Sequence, residues 1–220
     1  MFDQATVEML MEGVVDTLYM TIVSTFFSYV FGIVMAVVLV ICRKDGIRPN
    51  PVVYSVLDVV VNLTRSFPFL ILMIAVIPFT RYIVGTTIGN NATVVPLVIA
   101  AAPFVARLIE SSLLEVDNGV VEAAQSMGAS TWQIITKVLL PEAMPSLING
   151  AALCMTTILA YTAMAGSAGG DGLGKIAITY GLNYHEYDIM YVSSLLLVAL
   201  VQLIQIGGGI LTRAVDHRKK

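Results

Sequence analysis

The sequence predicts an all-α membrane protein with five transmembrane helices, and three observations carry that reading. Of 220 residues, 57% are hydrophobic and 12% are charged, about half the charged share of a soluble domain. The mean hydropathy is +0.86. The apolar residues fall in long runs: residues 17–41 pass 25 positions without a charge. Too few charges remain to solvate a globular surface, which excludes a soluble domain, a disordered chain and a disulfide-stapled secreted module. Backbone groups in lipid must pair internally, and no ten-residue alternation points to a barrel, so the spans are helices.

Each span needs roughly 20 mostly apolar residues. The first covers residues 17–41. The second lies within residues 56–79 and carries Asp58, Asn62 and Arg65 toward its start. The third, residues 94–114, ends with Arg107 and Glu110, three apart on one helical face and close enough to pair. The fourth runs over residues 147–165 and the fifth over 189–211. Together they make residues 1–220 a single membrane domain, in contact with lipid.

Basic residues orient the bundle. Residues 1–16 hold Asp3, Glu8, Glu12 and Asp16 and no basic residue. That start is unlike a signal-peptide n-region, so no cleaved leader is expected. With the N-terminus outside, the inner side receives Arg43, Lys44, Arg48, Lys137, Arg213, Arg218, Lys219 and Lys220, and the outer side only Arg81 and Lys175. The expected topology is N-out, C-in. The basic residues form no patch, so no nucleic-acid partner is expected. Cys42 and Cys154 lack metal or redox spacing. His185 and Glu186 read as a solvated pair, and no metal site is expected.

The inner connection, residues 115–146, reads as a helical hairpin rather than a linker. Asp117 and Asn118 are good N-caps for a first helix over residues 120–127, and Gly128 can take the left-handed C-terminal cap. Ser130 with Gln133 forms a capping box for a second helix over residues 132–140, which is expected to stop before Pro141. Ala123 and Ala124 beside Glu122 offer a low-profile surface that another protein could grip. Taken alone, the same pattern also fits an interfacial helix pair lying on the membrane.

At these residues the sequence resembles a family. Glu122-Ala-Ala-Gln-Ser-Met-Gly128, followed after nine residues by Val138-Leu-Leu-Pro141, is similar to the EAA signature of ABC-importer permeases, with Val138 in place of Ile. Arg65-Ser-Phe-Pro-Phe69, Ile77-Pro-Phe-Thr-Arg81, Val84-Gly-Thr86, Ala101-Ala-Pro-Phe-Val-Ala-Arg107, Lys137–Ala143 and Tyr161–Gly166 with Gly172-Leu-Gly174 resemble the methionine-importer permeases. The resemblance covers nearly the whole chain. It implies a type I ABC-importer permease fold in a bacterial cytoplasmic (inner) membrane. It further implies a homodimer, two cytoplasmic ABC ATPase subunits and an extracytoplasmic lipoprotein that delivers methionine.

The resemblance also assigns roles. Glu122, Ala123, Ala124, Met127, Gly128 and Ala129 become the ATPase-coupling surface, and the pore runs between two copies. Met164 takes the gate position, with ordinary packing as the alternative, and Tyr161 is a secondary path candidate. Independently of the resemblance, Pro68 frees a carbonyl that Ser66 or Arg65 could satisfy, or Arg65 could face the path, and both residues are kept as path candidates. Gly85-Thr86-Thr87 and the stretch 166–174 either dock the binding protein or are turns. No Walker A motif occurs: Gly174-Lys175 is followed by Ile176. ATP and magnesium are therefore expected on the partner ATPase, with no cofactor and no catalytic residue in this chain.

Three rival classes stay open on sequence. The first is an ABC permease for another amino acid or small osmolyte. The second is an ion-coupled secondary transporter, which would want a midplane carboxylate and inverted repeats. The third is an intramembrane enzyme, for which Tyr187-Asp188 is a weak signal without an accompanying G-x-G-D.

Overall fold

The computed structural model describes residues 2–216, and Arg218, Lys219 and Lys220 of the inner basic cluster lie outside the described residues. The first helix, α1, spans Gln4–Cys42. It starts thirteen residues before the apolar run, because the membrane-sized stretch is only part of a 39-residue helix. Asp3 caps it, accepting from the Thr6 backbone N–H and hydroxyl, and these bonds hold its carboxyl below the ordinary range.

The second expected span is broken. Helix α2 runs Pro51–Ser66 and α3 runs Phe69–Ala75, with a bend of 107° between them. Pro68 has no N–H to continue the ladder and holds Phe67 in extended backbone. The carbonyl that Pro68 would have freed, Thr64 O, accepts the Phe67 N–H instead at 3.3 Å. Neither Arg65 nor Ser66 is needed for it. The last residues of that expected span, 77–79, open a separate short helix, α4, Ile77–Val84.

Helices α5 (Asn90–Leu114), α9 (Met144–Ala165) and α11 (Tyr187–Val215) are the third, fourth and fifth spans, each somewhat longer than its apolar run. Among the described residues four helices are therefore long and apolar enough to cross a membrane singly, and the bent α2–α3 pair brings the number to five if it counts as one span.

The core forms where α1, α5 and α9 meet, with α11 against α9 and α2 along the flank of α1 and α5. Leu97, Ala101, Val105 and Ile109 of α5 pack with Met20 and Ala36 of α1 and with Cys154 and Ile158 of α9. Helix α1 turns Gly13, Thr17, Thr21, Ser24, Ser28, Gly32 and Ala36 inward. This stripe of small residues at three- and four-residue spacing lets α5 approach closely, as lipid-embedded helices require. At the N-terminal end two polar contacts join α1 to α5: Tyr19 Oη donates to Asn91 Oδ1, and Asn90 Nδ2 to Asp16 Oδ1, both at 2.7 Å.

The glycine-rich connection after α9 is packed structure. Helix α10 (Leu173–Ile178) is wedged against α1, α9 and α11, and Leu173 is fully buried. The Leu173 N–H donates to Thr17 Oγ1 at 2.9 Å. A Cβ on Gly174 would overlap the Ala163 backbone, and one on Gly166 would overlap that of Lys175. Of the two readings of 166–174, flexible turns do not fit: Gly166 and Gly174 permit a backbone-to-backbone weld.

Candidate coupling hairpin and translocation recess

The hairpin starts at Asp117, whose carboxylate accepts the Gly119 N–H at 2.6 Å. Helix α6 covers Asn118–Ser126, two residues ahead of the expected start. Gly128 has φ +79°, the left-handed region that closes the helix. Its N–H bonds Gln125 O at 2.9 Å, and the Ala129 N–H bonds Ala124 O at 3.1 Å. Ser130 and Gln133 make the expected capping box: the Gln133 N–H donates to Ser130 Oγ, and the Ser130 N–H to Gln133 Oε1.

Beyond the box the expected single helix is instead α7 (Thr131–Ile134), a π-turn segment (Ile135–Leu139) and α8 (Leu140–Glu142). Pro141 does not end the path. The wider turn lets Leu140 N–H reach Ile135 O, and Pro141 then sits in the first turn of α8, where no N–H is needed.

The hairpin has two faces. Val116, Ala124, Ile134 and Leu139 are buried in the same core cluster as Val40 and Leu113 of the bundle. Glu122, Ala123, Met127 and Gly128 are exposed and Ala129 is half-buried, with Met127 at 82% and the neighbouring Trp132 at 70%. The expectation for Ala124 is corrected: it is 4% exposed, and its small size serves packing inside the hairpin. Trp132, an apolar side chain turned to the outside on the same hairpin, is a surface residue that the motif did not single out. Its place two residues after the Ser130 cap was the available signal.

An ionic cluster ties the bundle together near the hairpin end. Arg107 of α5 pairs with Glu110 on its own helix at 2.6 Å and with Asp58 of α2. Asn62 donates to Asp58 at 3.2 Å. The sequence foresaw the first pair; Asp58 joins only through the tertiary approach of α2. Further along, Ser112 and Ser146 bond at 3.0 Å, and Ser146 Oγ donates to Glu115 Oε2 at 3.1 Å.

The candidate path residues separate. Tyr161 of α9 stacks on Phe69 of α3, with ring centroids 4.5 Å apart and parallel planes. Arg65 and Tyr161 line one recess of about 220 Å³ beside the α2–α3 break, with Phe67, Phe69 and Phe104. Ser66 is not brought to it: its hydroxyl donates to Asn62 O at 2.8 Å within its own helix. Met164 lies about one turn further along α9, outside that lining, and is 48% exposed.

Comparison with known proteins gives a consistent result. Residues 28–220 match the family model described as "Binding-protein-dependent transport system inner membrane component". The chain is 50% identical to the probable D-methionine transport system permease protein MetI of Vibrio cholerae over 211 residues, 96% of this chain and 94% of that one. It is 48% identical to the D-methionine transport system permease protein MetI of Escherichia coli over 158 residues, 72% and 73% of the two chains. A solved structure titled "Inward facing conformations of the MetNI methionine ABC transporter" superposes with a TM-score of 0.96 at 44% identity, covering 98% of this chain and all of that one. An amino acid ABC transporter shares the fold at a TM-score of 0.72 and 19% identity, over 96% and 94% of the chains. The chain thus belongs to the binding-protein-dependent transport system inner membrane components, within the D-methionine permease family.

Proposed function

We propose that this chain is the membrane subunit of an ATP-driven ABC importer that carries methionine across the bacterial cytoplasmic membrane by alternating access. Two copies form the path, and residues 1–220 of each act as one permease domain. Two ABC ATPase subunits bind ATP and magnesium on the inner side, and a methionine-binding lipoprotein docks outside.

The observation that carries this reading is the hairpin: an exposed Glu122–Gly128 surface on an element whose other face is continuous with the bundle core. A push on such a handle moves the spans rather than bending a loop. The end that bears the hairpin also bears Arg43, Lys44, Arg48 and Lys137, which supports a cytoplasmic position. At the gate, an unbranched and polarizable Met164 suits a plug that a thioether substrate can displace.

Tagged protein, co-expressed with an ABC ATPase and a lipoprotein binding protein of the same importer, tests the assembly. Recovery of two permease copies with two ATPase subunits is expected. A chain recovered monomeric and free of ATPase under mild extraction contradicts the proposal.

A further inference from the structure

We infer that the recess at the α2–α3 break is a substrate subsite inside the permease, in which Arg65 takes the carboxylate of a zwitterionic amino acid and the aromatic wall takes its apolar side chain. This rests on the reading of the chain as an amino-acid importer subunit, and adds to it a place where substrate pauses after the gate.

Three observations converge. The first is Arg65 itself. It lies fourteen residues beyond Pro51 in α2, about 21 Å along the helix, where α2 and α3 together are apolar enough to cross a membrane. Among the described residues it has no ion-pair partner, whereas Arg107 has two carboxylates. An unpaired charge within such a pair of helices marks a water-filled or substrate-filled space. The second is the size and lining of the recess. About 220 Å³ is below the roughly 300 Å³ at which drug-sized sites begin. Phe69, Phe104 and Tyr161 supply an apolar wall, and the Phe69–Tyr161 stack fixes its shape. The third is the break. Helix α2 ends at Ser66 and the chain turns by 107°, so the last turn of α2 delivers Thr64 and Arg65 to the rim of the recess. One edge of the recess thus offers a cation for a carboxylate, facing the apolar wall that takes the side chain.

The order along the path fits. Met164 is three residues beyond Tyr161 on α9, about 4.5 Å toward the outer end. A substrate that passes Met164 from outside reaches the recess next.

The test uses the full importer in proteoliposomes, with permease, ATPase and binding protein. The probe is a diazirine analogue of methionine, and radiolabelled methionine uptake is measured in parallel. Label is expected on the peptides that carry Phe67–Leu72 and Tyr161, and excess methionine removes it. Arg65→Gln is expected to lower labelling per assembled complex at least tenfold, and Arg65→Lys to restore part of it. Phe104→Trp narrows the recess without changing charge and is expected to lower labelling as well. Uptake by the wild type with label elsewhere, or labelling unchanged in Arg65→Gln or in Phe104→Trp, overturns the subsite alone. No methionine uptake by the wild type overturns the importer reading and the subsite with it.

Discussion

Gly128 shows how much can depend on one backbone angle. Its φ of +79° is open to glycine, and no atom lies within 4 Å of where a Cβ would stand. A side chain there meets no clash, so its cost is conformational, about 1–2 kcal/mol for a residue forced left-handed. Gly128→Val is therefore expected to shift the end of α6 and lower substrate-stimulated ATP hydrolysis several-fold, while dimer assembly survives in part. Size-exclusion profiles and ATPase assays on the same preparation separate the two effects. Glu122→Lys reverses an exposed charge without touching the core, and the same assays are expected to show lost stimulation with normal assembly. At the other end of the path, Met164→Ala removes a half-exposed side chain. It is expected to give a methionine leak in vesicles without ATP; closure as tight as wild type would return Met164 to ordinary packing. The caps at Asp117, Gly128 and Ser130 were legible in the sequence because they are local, set by residues two or three positions apart. The inward turn of Ala124 was not, because it depends on where the returning helix packs.

Elements show the same division. The spans follow from apolar run length alone. Their joints follow from contacts far apart in the chain. Pro68 announced a kink, but a bend of 107° is set by what α3 packs against, and no local rule gives its size. Pro141 read as a stop because a π turn ahead of it leaves no mark in the residue pattern. The small-residue stripe from Gly13 to Ala36 was present in the sequence and could have been found by its spacing. Helix α10 was hidden because glycines that permit close packing look like glycines that permit a turn. Gly174→Ala is accordingly expected to lower the yield and the thermal midpoint of the detergent-solubilised complex, whereas an exposed flexible loop would accept it without change. The ionic cluster has a matching test. Arg107→Met leaves Asp58 and Glu110 facing each other without their cation, a loss on the order of 3 kcal/mol for a largely buried group. Asp58→Asn keeps the Arg107–Glu110 pair and is expected to cost much less in the same thermal measurement.

The whole molecule is a bundle with a handle at one end and a welded cap at the other. The hairpin shares its core with α1 and α5, and α10 is pinned to α1 through Thr17 and pressed against α9 at Ala163. Motion applied at the handle therefore reaches the Met164 turn through packed helices rather than flexible linkers. This gives a physical basis for the proposed coupling between an ATPase at the handle and a gate at Met164. With the α2–α3 pair counted as one span and Arg43, Lys44, Arg48 and Lys137 at the handle end, the proposed topology puts the handle on the cytoplasmic side. A cysteine introduced at exposed Glu122 is expected to react with a membrane-impermeant maleimide only from the cytoplasmic side.

The central claim is that this handle transmits the work of a separate ATPase. Uptake of radiolabelled methionine into proteoliposomes, with permease, ATPase and substrate-loaded binding protein, measures it directly. Accumulation is expected only when hydrolysable ATP and the ATPase are both present, and it is expected to fall sharply in Gly128→Val although the complex still assembles. Uptake that proceeds without the ATPase, or that Gly128→Val and Glu122→Lys leave at the wild-type rate, contradicts the account.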